Sequence, residues 1–177
     1  MGECSYAGRH THELPARRTA LSATTTTQQI FLDKEHPAVW RALNGLGLKA
    51  REAADAAGID RRIIELLNVR ISQINGCAFC LDMHVRDAVE AGESPQRLAV
   101  LQAWRETALF TEKERAALAL AECITELPDH RISELEEGYA RQHLTAEEFS
   151  VVSWLVITMN AFNRVSITSH HPVRRDR

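Results

Sequence analysis

Nowhere in these 177 residues does an uninterrupted apolar run approach the ~20 residues that a membrane-spanning helix needs, and no secretory hydrophobic region follows the first methionine. Charge of one sign is also lacking. With a net charge of −3 and no sustained basic stripe interleaved with aromatics, nothing points to nucleic acid as a partner. No glycine-rich phosphate-cradling loop occurs, so no bound nucleotide or other organic cofactor is called for. Cysteine is scarce: of the four, Cys4 and Cys123 are isolated, and no second C-x-x-C or H-x-x-x-H accompanies the single C-x-x-C pair. These absences leave an ordinary globular protein, long enough for one real core and too short to need two domains. A cytoplasmic location, where thiols are kept reduced, is the expectation.

What is present concentrates between Glu65 and His84, in ELLNVRISQINGCAFCLDMH. Asn75-Gly76 reads as a turn that ends one helix and lets another begin near Cys77. On that second helix Cys77, Cys80 and His84 are spaced by three and four residues and share one face. The spacing suits reversible disulfide chemistry, because one helical turn brings two sulfurs within bridging reach. Cys77 would sit among unpaired helix N-terminal amides, which favour a thiolate, and His84 can take the proton of Cys80. In the preceding helix, capped by Asp60, the apolar stripe is Ile63, Ile64, Leu67, Ile71 and Ile74. Glu65, Asn68 and Ser72 lie off it. If the two helices pack antiparallel, Glu65 comes back to meet His84 and orients the imidazole.

The pattern Glu65, eleven residues, Cys77-x-x-Cys80, three residues, His84, with the local run SQINGCAFC, resembles the AhpD-like branch of the carboxymuconolactone decarboxylase family. The resemblance implies a small all-helical, homo-oligomeric protein (trimer or hexamer) that reduces alkyl hydroperoxides. Cys80 would be the peroxide-attacking thiol, Cys77 the resolving one, and Glu65 with His84 the proton relay. An external dithiol, a lipoyl or thioredoxin-like protein, would reopen the disulfide. One departure stands out: the founding alkylhydroperoxidase has a histidine just before its second cysteine, and this chain has Phe79. The relay here would then run through His84, water and Glu65.

Two other chemistries remain open. Cys77, Cys80 and His84 could supply three ligands of a zinc-binding, non-enzymatic module, although a closed structural site needs a fourth. The lactone decarboxylases of the same superfamily act on small organic acids but lack the cysteine pair.

The rest of the chain reads as follows. Residues 1–29, with a four-threonine run and little periodicity, form an appendage; 30–168 form the helical domain; 169–177, SHHPVRRDR, form a polar tail read as mobile. Pro37 opens a helix that Gly58 closes, with Val39, Trp40, Leu43, Leu46 and Ala50 inward and a bend or break at Gly45 and Gly47. A short helix starts at Ser94-Pro95. Thr111 with Glu114 and Thr145 with Glu148 make capping boxes. The last helix is apolar around most of its circumference, which suits a central position or cover by another subunit. No strand is needed, and the expectation is an all-α bundle of six or seven helices.

Overall fold

Side-chain caps at helix starts and left-handed residues at helix ends divide the chain, and what lies between them packs as one all-helical body. The computed structural model describes residues 28–173 and Arg175; most of the expected N-terminal appendage, with Cys4, lies outside the described residues. The elements are α1 (Leu32–Glu35), α2 (Pro37–Ala56), α3 (Arg61–Asn75), α4 (Ala78–Glu90), α5 (Pro95–Ala99), a 3₁₀ segment (Leu101–Glu106), α6 (Glu112–Glu126), α7 (His130–His143) and α8 (Ala146–Thr168). Among the described residues there is no strand, and no helix is long and apolar enough to cross a membrane.

Among the described residues, nine helical elements replace the expected six or seven. The surplus comes from single turns. α1 precedes Pro37, and the helix expected from Ser94 divides at Val100 into α5 and the 3₁₀ segment, with a non-helical Ala103 inside the latter. The caps do what their residue types dictate. Asp60 accepts from the Ile63 amide, Asp129 from those of Arg131 and Ile132, and both Thr–Glu capping boxes close reciprocally.

α3, α6 and α8 form the centre, with Leu66, Leu67, Ile71, Leu118, Leu120, Val152 and Val156 fully buried between them. α3 is covered on more than its stripe: Glu65, Asn68 and Ser72 are buried as well. α2 turns inward only part of the side expected of it: Ala50 is buried and Trp40 packs edge-on against Phe162 of α8. Val39 and Leu46 face outward, and Gly47, Ala50 and Ala54 are the buried positions. Nor does the helix break at its glycines. A Cβ at Gly47 would lie 3.0 Å from the Phe162 ring, so the missing side chain is what lets α2 close on α8.

A second buried feature ties four elements together. Glu122 of α6 accepts from Arg70 Nε of α3 (2.6 Å) and from Trp104 Nε1 (2.9 Å), and it also pairs with Arg105, which reaches on to Glu136 of α7 at 3.1 Å. Cys123 beside it is buried, and its thiol pKa is raised, first by desolvation, as for a small inert hydrophobe. At the far end of α8 the tail does not leave at once. Ser169 to His171 pack against the segment that precedes α1, with Gln29 Nε2 donating to the Ser169 and His170 carbonyls.

Candidate active site

Gly76, at φ +67°, ends α3 in the left-handed region, and the Cys77 amide returns to the Ser72 carbonyl at 3.0 Å. That closure places Cys77 at the N-cap of α4, where its sulfur accepts from the Cys80 amide at 3.4 Å. A polar bridge pins the turn to α8. Asn75 Nδ2 donates to Asn160 and Asn163, both at 2.9 Å, and the fully buried Asn163 donates to Ser72 Oγ at 3.3 Å. Ser72 therefore serves as an acceptor across helices.

Cys77 and Cys80, each about 2% exposed, are joined as a disulfide, with their Cα atoms 5.4 Å apart. One turn on, His84 Nδ1 lies 2.8 Å from Glu65 Oε2, so α3 and α4 do bring the carboxylate back to the imidazole. Asn68 Nδ2 donates to the same oxygen at 3.2 Å and Arg61 Nε to the other at 3.1 Å. With Nδ1 spent on the carboxylate, Nε2 is the nitrogen left to serve a reacting group. No hydrogen bond joins His84 to either sulfur in this disulfide state; the two meet instead across a shared cavity.

That cavity, about 390 Å³, lies between α2, α3, α4 and α8. Cys80, Phe79 and His84 open onto it beside Trp40, Leu155, Met159 and Phe162, with Asn44, Arg51, Asn68, Asp87, Thr158 and Ser166 among its polar positions. Cys77 is not among the lining residues. The α8 contribution follows helical spacing, from Leu155 through Thr158, Met159 and Phe162 to Ser166. Two hydroxyls on the cavity side of an otherwise apolar helix were the available signal for it.

Burial works to raise the Glu65 pKa. The hydrogen bond and charge of His84, the Asn68 amide and the Arg61 charge outweigh it and hold the carboxyl below its ordinary value. A depressed carboxyl stabilises the fold wherever it is ionised in the native state. The contribution is complete above the unfolded glutamate value of about 4.3 and is lost as pH falls through the lower folded value. Replacing Glu65 by Gln should flatten that acid limb of the stability curve and slow any reaction that uses His84 as a base by on the order of 10²-fold. Denaturant titrations at a series of acidic pH values, alongside activity, check both.

In this disulfide state the sulfurs of the zinc trio expected as an alternative are bonded to each other. Among the described residues the group with metal-ligand character is instead Glu65, His84 and Asp87, whose ligand atoms lie within 4.8 Å of one another. Two of its three members already share a hydrogen bond.

The site is thus a buried C-x-x-C disulfide near a carboxylate–imidazole pair at the wall of a cavity, within an all-α body. The comparisons narrow this. A model of the carboxymuconolactone decarboxylase family matches residues 37–122. Uncharacterized protein YdfG of Bacillus subtilis (strain 168) is 40% identical over 111 residues, 63% of this chain and 76% of its own length. Uncharacterized protein YnjA of Escherichia coli (strain K12) is 33% identical over 70 residues, 40% of this chain and 38% of its own. The crystal structure of an Agrobacterium tumefaciens protein of unknown function, suggested there to be the antioxidant defence protein AhpD, superposes with a TM-score of 0.72 at 30% identity, covering 82% of this chain and 99% of that one. The chain belongs to the carboxymuconolactone decarboxylase family, in its AhpD-like branch.

Proposed function

We propose that the protein is a thiol-dependent peroxidase acting on alkyl or hydrogen peroxide. The observation that carries this reading is the division of labour between the cysteines. Cys80 opens onto the cavity next to His84 and Glu65, whereas Cys77 sits behind it at the helix N-cap. In the reduced protein His84, oriented by Glu65, takes the Cys80 proton. The thiolate attacks the distal peroxide oxygen, the O–O bond breaks, the alkoxide leaves and is protonated, and Cys80 becomes a sulfenic acid. Cys77 then displaces hydroxide from that sulfur to form the disulfide, and an external dithiol, lipoyl or thioredoxin-like, reopens it by exchange. A compartment that keeps thiols reduced, such as the cytoplasm, suits this cycle. Trp154 and Ile157, 51% and 45% exposed on the apolar α8, suit an interface with further copies of the chain.

The test treats prereduced protein with a substoichiometric dose of cumene hydroperoxide and maps its cysteines by peptide mass spectrometry. Rapid peroxide loss with one Cys77–Cys80 disulfide formed per peroxide is the expected result. Persisting peroxide with both thiols still reduced would overturn it.

A further inference from the structure

Phe79 stands where the founding alkylhydroperoxidase carries a histidine, yet an imidazole lies against it. His171, five residues beyond Ser166 and set aside by sequence reasoning as part of a polar tail, has its ring 5.2 Å from that of Phe79 and stacks on Phe31 at 5.7 Å. Its position is imposed by the end of α8. His170 takes a left-handed conformation (φ 49°), the His171 amide returns to the Ser166 carbonyl at 3.1 Å, and the Leu32 amide donates to Ser169 Oγ at 3.0 Å. Held in this way, the His171 ring is bonded on both nitrogens. Nε2 lies 3.1 Å from Asp33 Oδ1, and Nδ1 lies 3.3 Å from Ser166 Oγ. Ser166 is 7% exposed and lines the same cavity as Cys80 and His84.

We infer that Ser166 is a second catalytic residue of the cavity, donating a proton to the departing alkoxide, and that His171 and Asp33 position and resupply it from outside. The inference rests on the thiol-peroxidase reading and deepens it. His84 and Glu65 serve the sulfur; the imidazolium that results stays paired with Glu65, and the Ser166 hydroxyl on the α8 wall of the same cavity is a second proton donor for the other oxygen. As the Cys80 thiolate bonds to the distal oxygen and the O–O bond breaks, sulfur is oxidised by two electrons and the leaving oxygen takes the electron pair. The Ser166 hydroxyl gives that oxygen its proton and takes one in turn from Nδ1 of the His171 imidazolium. Asp33 holds Nε2–H throughout, and the neutral ring recovers its proton from solvent. An acyl-transfer role for the same three residues is disfavoured by the backbone. Ser166 lies inside the last turns of a long helix, where neighbouring amides are spent on carbonyls one turn back and cannot form an oxyanion hole.

The experiment follows single-turnover oxidation of Cys80 in wild type, Ser166→Ala, His171→Gln and Asp33→Asn with two oxidants. Cumene hydroperoxide expels a strongly basic alkoxide; peracetic acid expels a carboxylate that needs no proton. The expected result for Ser166→Ala and His171→Gln is a loss on the order of 10²-fold with cumene hydroperoxide, and one about tenfold smaller with peracetic acid. Asp33→Asn should show the same ratio in weaker form. A purely structural role would slow both oxidants alike, so equal losses, or none, overturn the inference and leave the thiol reading standing. A wild-type Cys80 that neither oxidant attacks removes the thiol reading and this one with it.

Discussion

Replacing Cys80 by Ser should end peroxide consumption, slowing it by roughly 10³-fold or more, because an alcohol neither ionises near neutral pH nor attacks an O–O bond. Cys77→Ser should behave differently. Its first equivalent of peroxide is consumed, since the attacking sulfur and its base are intact, but turnover stops there. Cys80 then rests as a sulfenic acid that a dimedone probe captures and that excess peroxide carries to the sulfinic state. Intact-mass measurement after one and ten equivalents separates the two variants. The asymmetry follows from position, one sulfur at the cavity wall and the other at the helix N-cap. If Cys77→Ser loses the first equivalent and Cys80→Ser keeps it, the roles are reversed. Peroxide-independent activity on a small organic acid that survives both substitutions would instead favour the decarboxylase chemistry of the wider family.

Glu122→Ala should be the most damaging single change to stability. It strands Arg70 Nε and the Trp104 indole N–H in a buried site without an acceptor, and removing one partner of such a pair costs about 3–5 kcal/mol. Arg105, 42% exposed, adds little because solvent screens it. A fall in Tm of roughly 10 °C by calorimetry is expected at this chain length. Glu122→Gln keeps an acceptor for one donor and should lose clearly less. Indistinguishable melting of wild type and Glu122→Ala would show that the four elements joined at Glu122 are held by apolar packing alone.

How much could be read from the chain beforehand varied with sequence distance. The α3–α4 hairpin was legible because its signals are local: Asp60 as cap, Asn75-Gly76 as turn, and a three-and-four spacing that brings Cys77 within reach of Cys80 and sets Cys80 and His84 toward one cavity, with Cys77 itself behind at the N-cap. The meeting of Glu65 with His84 followed from the short turn between antiparallel helices. α2 was legible in part: Trp40 and Ala50 do turn inward, but close approach to α8 also selects Gly47 against Phe162 and leaves Val39 and Leu46 outside. The short helix from Ser94 was legible from its cap, but α1 and the division at Val100 escaped because a single turn has no periodicity to detect. Leu127, where helical periodicity alone would continue the apolar face of α6, lies just past that helix in a left-handed cap and is exposed. The Glu122 cluster and the Asp33–His171–Ser166 chain had no local signature, since Arg70 and Glu122 are 52 residues apart and Asp33 and His171 are 138 apart.

That last separation bears on the order in which the molecule assembles. Closing a loop of this length from a fully unfolded chain costs roughly 4 kcal/mol of entropy, far more than two or three partly exposed hydrogen bonds return. Once α2 has docked on α8 the same closure spans only a few residues, so the clasp between Leu32 and Ser169 is a late event in folding and an early one in unfolding. The Leu32 amide should then exchange its hydrogen through a local opening well below the global free energy, while core amides of α3 and α6 wait for complete unfolding. Such an opening withdraws Asp33 and Phe31 from the His171 ring, so exchange at this one amide measures how often that ring is held from the N-terminal side.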